Sequence, residues 1–102
     1  LPETGKHEPE MKEREDHSFE IDGAMSIYDA TERLGFGPLP EGDYSTMAGF
    51  VLFLFRRIPN VHEHIDWNDW RFEVSSLAGW RIDKPLVRRL NQTELPSDTS
   101  KS

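Results

Sequence analysis

The chain has 102 residues, no cysteine, and 12 Lys+Arg against 19 Asp+Glu, for a formal net charge of −7. That length suits one domain and leaves no room for a second core. The acidic balance excludes non-specific attraction to nucleic-acid phosphates or anionic lipid surfaces as the expected mode of action, and nucleic acid is not an expected partner.

The charge is uneven: residues 1–20 hold seven acids and three bases. The opening LPETG matches a sortase sorting signal, but the hydrophobic stretch and basic tail that such a signal requires do not follow, so it reads as linker sequence. Residues 6–16, KHEPEMKERED, carry one Met as their only large apolar side chain and bury too little to offset the entropy of ordering. Residues 1–17 are therefore expected to be a flexible charged linker, residues 18–90 the domain, and residues 91–102, NQTELPSDTSKS, a flexible tail. No initiator Met and no signal peptide open the chain, and the expectation is a piece of something longer.

Within 18–90, Phe19 and Ile21 alternate with polar neighbours ahead of an Asp22-Gly23 turn, the pattern of a short strand. Ser26 then caps a helix in which Ile27, Ala30, Thr31 and Leu34 form one stripe, and Gly35 takes the position past its end. The Gly- and Pro-rich stretch 35–43 is a loop; its Gly-x-Gly does not join a strand to a helix, so it is no dinucleotide fingerprint. Ser45 or Thr46 caps a second helix running to about Arg57, with Arg56 and Arg57 complementing its dipole and Pro59 stopping it.

That helix contains Met47, Phe50, Val51, Leu52, Phe53, Leu54 and Phe55. It is about half the roughly twenty residues a bilayer span needs, so it is core on all sides, or core on one side and docked on the other. Its outward face is a candidate homodimer surface. The period then changes to two. Glu63, Ile65 and Trp67 precede an Asn68-Asp69 turn, and Trp70, Phe72 and Val74 alternate with Arg71, Glu73 and Ser75. A second turn at Ala78-Gly79 leads to a strand with Trp80, Ile82 and Leu86 on one face and Pro85 at an edge or a bulge. The predicted order is β-α-α-β-β-β, an α+β fold with two helices on a small antiparallel sheet.

Two constellations carry candidate chemistry. His62 and His64 share one side of a strand with Asp66, two nitrogens and an oxygen of the kind zinc takes, but no fourth ligand stands at motif spacing, and a solvent-facing strand is the expected reading. Trp67, Arg71 and Trp80 are candidates for a platform that stacks a nucleotide base. Against this, large aromatics mostly pack; Trp70 and Trp80 are assigned to the core and Trp67, beside the turn, to the surface. No nucleophile and base stand at catalytic spacing, and no catalytic residue is assigned.

The succession FEIDG, a helix ending in LG, STMAGFV, RRIP, a Glu-led hairpin with WRFEV, and WRID resembles the CorC/HlyC or transporter-associated domain, from Phe19 to about Leu90. Gly23, Thr46, Gly49, Pro59, Glu63, Phe72, Val74 and Ile82 fall on that family's recurring positions. Ala48 and His62 depart from it, since the family usually has glycine at both. The resemblance implies a fold similar to the second subdomain of FAD-binding enzymes of the p-cresol methylhydroxylase type. It also implies a non-catalytic cytoplasmic accessory domain of a hemolysin-like or magnesium and cobalt efflux membrane protein, at the cytoplasmic face of the inner membrane. Its partners would be the transmembrane and CBS regions of the same parent. No cofactor is implied, and FAD or an adenine nucleotide enters only through the fold, as the ligand of an alternative regulatory module.

Overall fold

A computed structural model describes residues 10–90. Seven elements follow in order: β1 (Met11–Glu13), β2 (Phe19–Ile21), α1 (Ile27–Leu34), α2 (Met47–Phe55), β3 (His64–Trp67), β4 (Trp70–Ala78) and β5 (Arg81–Arg89). The strands form one antiparallel sheet in the order β1-β2-β5-β4-β3. Both helices are buried against one face, so the α+β class expected from the period changes is what the chain adopts.

The helices begin and end where their caps dictate. The Ser26 hydroxyl accepts from the amides of Tyr28 and Asp29, and Gly35 closes α1 in the left-handed region at φ 78°. Thr46 accepts from the Gly49 amide at 3.1 Å to start α2. Arg56 itself closes α2 at φ 62°, so it is the cap rather than a residue of the last turn. The helix is buried on one side only: Met47, Phe50 and Val51 are sealed, whereas Leu52 is exposed and Phe53, Leu54 and Phe55 are half-buried.

One expectation is corrected by β1. Residues 11–13 pair with β2 in the register Met11↔Ile21, Lys12↔Glu20 and Glu13↔Phe19, where composition suggested linker. The connecting turn uses no glycine. His17 takes φ 70°, its amide donates to the Arg14 carbonyl, and Asp16 accepts from the Ser18 amide at 3.1 Å and from its hydroxyl. An edge strand needs only backbone pairing to form, and a partly buried Met11 is its one core contact. Residues 1–9 and 91–102 lie outside the described residues.

The β3–β4 turn is as read, with Asn68 and Asp69 at φ 52° and 70°, the signature of a type I′ hairpin. The β4–β5 turn falls one residue later than expected, on Gly79 and Trp80, because Ala78 pairs with Arg81. Pro85 is not on an edge: β5 is the central strand. It stands one residue past the last β2 pair, Glu20↔Leu86, and opposite Val74, where the β4–β5 register shifts at Ser76. A residue with no N–H is tolerated there because the bulge interrupts the ladder.

An aromatic cluster fills the space between helices and sheet. Phe36, from the loop after α1, meets Trp70 edge-on at 5.0 Å and Phe72 at 5.4 Å, and Phe50 meets Trp67 at 5.1 Å and Tyr44 at 5.0 Å. The loop is pinned by the Asn68 side-chain amide, which donates to the Phe36 carbonyl at 2.6 Å.

Candidate functional site

The two helices start side by side, where Ser26 and Thr46 pair in an isolated antiparallel bridge. Gly23 follows β2 and is buried against the bulge of β5, donating its amide to the Asp83 carbonyl at 2.8 Å. A Cβ on Gly23 would stand 2.6 Å from the Ile82 carbonyl oxygen and 2.8 Å from that of Asp83, both backbone atoms that cannot swing aside. The Gly23 carbonyl in turn accepts from the Ala48 amide, and the Met25 carbonyl from the Met47 amide. With Thr46 taking the Gly49 amide, the first three amides of α2 are all satisfied by protein groups. The helix start therefore has no free donor to offer a phosphate.

Beside this junction is a cleft of about 400 Å³ lined by Asp22, Thr46, Ala48, Arg81 and Lys84 among others. Asp22 is buried and accepts from the Ala24 amide at 2.9 Å. The Ala48 methyl lies against Gly23, 3.1 Å from where a Cβ there would be. That methyl narrows the cleft where Gly23 meets the start of α2.

The His62, His64 and Asp66 set is not assembled. His62 sits at φ 78° in a bulge, its amide on the Val74 carbonyl, and Val74 bonds onward to Glu63, so the strand alternation breaks before His64. The His62 ring is exposed, 3.7 Å from Glu73. Asp66 is held by Arg71 through contacts of 2.8 and 3.2 Å, and that guanidinium lowers its carboxyl below the ordinary range. Among the described residues no three metal-ligating side chains gather.

Trp67, Arg71 and Trp80 are not brought together either. Trp67 turns into the aromatic cluster, Arg71 lies on the opposite face with Asp66, and Trp80 is at the far end of β4, roughly 25 Å away at 3.3 Å per residue. The assignment of Trp80 to the core and Trp67 to the surface is reversed: Trp80 is 79% exposed. The turn slipped by one residue and put it at the tip, where no facing layer exists.

The residues that the resemblance singled out serve the fold. Phe72, Val74 and Ile82 are core, Pro59 is fully buried, Thr46 is a cap and Gly23 a close approach. Glu63 ties down the segment between α2 and β3: it accepts from both terminal nitrogens of Arg57 and, at 2.8 Å, from the Asn60 amide. The Arg57 hydrogen bonds first, then the Asn60 amide, bring its pKa down to about 2. Only Gly49 lacks a steric demand, since a Cβ there would meet ordinary contacts of 3.4 Å and beyond. Sequence reasoning missed Phe36 and the stacking of Arg89 over Trp70 at 4.6 Å; a lone aromatic between glycines was the available signal for the first.

A family model described as the transporter associated domain, CorC_HlyC, matches residues 12–91. The chain belongs to that family. The transporter associated domain of a Xylella fastidiosa hemolysin, solved in complex with Mg and Mn, is 48% identical with a TM-score of 0.69, over 79% of this chain and 98% of that one. The corresponding domain from Nitrosomonas europaea is 31% identical with the same TM-score of 0.69, over 78% and 94%. Among curated proteins, the polyamine export protein of Salmonella typhimurium is 33% identical over 92 residues, 88% of this chain and 21% of that protein. The chain thus spans about a fifth of the length of such relatives. No helix among the described residues is long and apolar enough to cross a membrane.

Proposed function

We propose that this transporter associated domain is a non-catalytic accessory module of a larger membrane exporter, placed on its cytoplasmic side, and that it modulates export or assembly of that parent. The observation that supports the reading is that the transporter associated domain model covers residues 12–91 while the chain spans about a fifth of its curated relatives, and that Gly23, Thr46, Pro59, Glu63, Phe72, Val74 and Ile82 each hold the fold together. The module then acts by presenting a surface to the rest of its parent. The cargo is a cation, organic or metallic. One relative is named for polyamine export, and one similar domain was solved with divalent metals.

Deleting residues 10–90 from the full-length parent tests it. Efflux of polyamines and of magnesium or cobalt should change at equal membrane abundance, and unchanged efflux with unchanged abundance and assembly refutes the reading. A second copy on the outward face of α2, with Leu52 and Ile58 exposed, belongs to the same proposal. Sedimentation returning only monomer at high concentration removes that part.

A further inference from the structure

We propose that two copies of this chain pair through an antiparallel crossing of α2 on α2 at Gly49, with Asp43 of each copy facing Arg56 of the other. The inference rests on the second-copy part of the proposed function and adds to it the crossing point, the direction and the two ion pairs.

α2 breaks two local rules, and both exceptions line one cleft. Its interior holds Gly49, although glycine is among the least favourable residues inside a helix and a Cβ there would meet only ordinary contacts of 3.4 Å and beyond. Its left-handed cap, at φ 62°, holds Arg56, where glycine is the residue that fits without strain. Neither choice helps the isolated fold. Rules broken without a gain inside the fold point to a use outside it. Gly49 and Arg56 both line a cleft of about 450 Å³ on the outward side of α2, together with Asp43, Leu52, Phe53 and Ile58.

Gly49, Leu52, Phe53 and Arg56 stand at i, i+3, i+4 and i+7, one stripe along the helix. Leu52 is 39% and Ile58 52% exposed, so apolar surface lies in water between a bare backbone and a guanidinium. With no side chain at Gly49, a second helix can come close there.

The charges select a second copy as the occupant. Asp43 precedes Gly49 by six positions and Arg56 follows it by seven, at opposite ends of α2. Tyr44 meets the rings of Phe50 and Phe53 at 5.0 Å, which holds the loop carrying Asp43 against the helix. Among the described residues neither Asp43 nor Arg56 has an ion-pair partner, whereas Arg57, the third charge of the cleft, is taken by Glu63. A two-fold axis at Gly49 sets the start of each helix against the end of the other. It brings the acid of each copy to the free base of its partner and lays the apolar stripes on one another. A parallel crossing would set Asp43 against Asp43 and Arg56 against Arg56.

The test is sedimentation equilibrium over a concentration series of the 102-residue chain, beside thermal denaturation of the same variants at low concentration. The unsubstituted chain should show a monomer–dimer equilibrium. Asp43→Arg and Arg56→Asp should each weaken the dimer about tenfold or more, and the double variant should recover it. Gly49→Ala and Arg56→Gly should raise the melting temperature of the monomer and lower its association; a purely structural role for either residue would not move the two readouts in opposite directions. A chain that is monomeric at every concentration overturns this crossing and the second copy with it. A dimer indifferent to either single charge change, or one that the double variant does not recover, overturns this crossing alone and leaves a second copy on α2 standing. Neither result bears on the accessory-module reading, which efflux from the parent decides.

Discussion

Gly23 and Asp83 are locked together at the point where β2 hands the chain to the helices: the Gly23 amide donates to the Asp83 carbonyl at 2.8 Å, and a Cβ on Gly23 would collide with that same oxygen. This contact couples the β5 bulge to the start of α2, through the bond from Ala48 to the Gly23 carbonyl.

Gly23→Ala should therefore destabilise the domain by about 1–3 kcal/mol, the range for forced overpacking, because neither carbonyl can move without shifting the sheet. Gly35→Ala meets open space and carries only the conformational penalty of φ 78°, about 1 kcal/mol. Thermal denaturation of the two variants should rank them in that order.

The bond network around Glu63 predicts an acid limit. Its folded pKa is about 2, below the ordinary 4.5, so its contribution is fully present above about pH 5 and is lost as the pH falls toward 2. Glu63→Gln should flatten the stability profile over that window in urea unfolding at stepped pH. Asp66 and Asp16 are shifted in the same direction, by Arg71 and by Ser18, so part of the slope should remain.

The two tryptophans at opposite ends of β4 should respond differently to truncation. Trp70→Ala removes a buried ring and the platform for Arg89, and should cost about 3–5 kcal/mol. Trp80→Ala should stay within about 0.5 kcal/mol. Acrylamide should quench the wild-type emission substantially more than that of the Trp80→Ala chain.

Sidedness of α2 is tested by neighbours on opposite faces. Phe50 is sealed and Leu52 is 39% exposed. Phe50→Ala should cost about 3–5 kcal/mol and Leu52→Ala less than about 1 kcal/mol. Equal losses would mean a helix buried all round.

Local features of the chain determined both helices. Ser26 and Thr46 hold hydrogen-bonding oxygens at the caps, Gly35 accepts a left-handed backbone, and Asn68-Asp69 forms the turn with residues on hand; each depends on interactions spanning only a few positions. The five motifs also carried the family, whose model matches residues 12–91. Long-range pairing decided the rest. Residues 11–13 are a strand because β2 lies beside them, Pro85 is central because β2 closes on β5, and a turn displaced by one residue exposed Trp80 while Trp67 found Phe36 and Phe50. Whether an aromatic is buried depends on what faces it across the layers, and that is a property of the assembled sheet and helices, which no window of neighbouring residues contains.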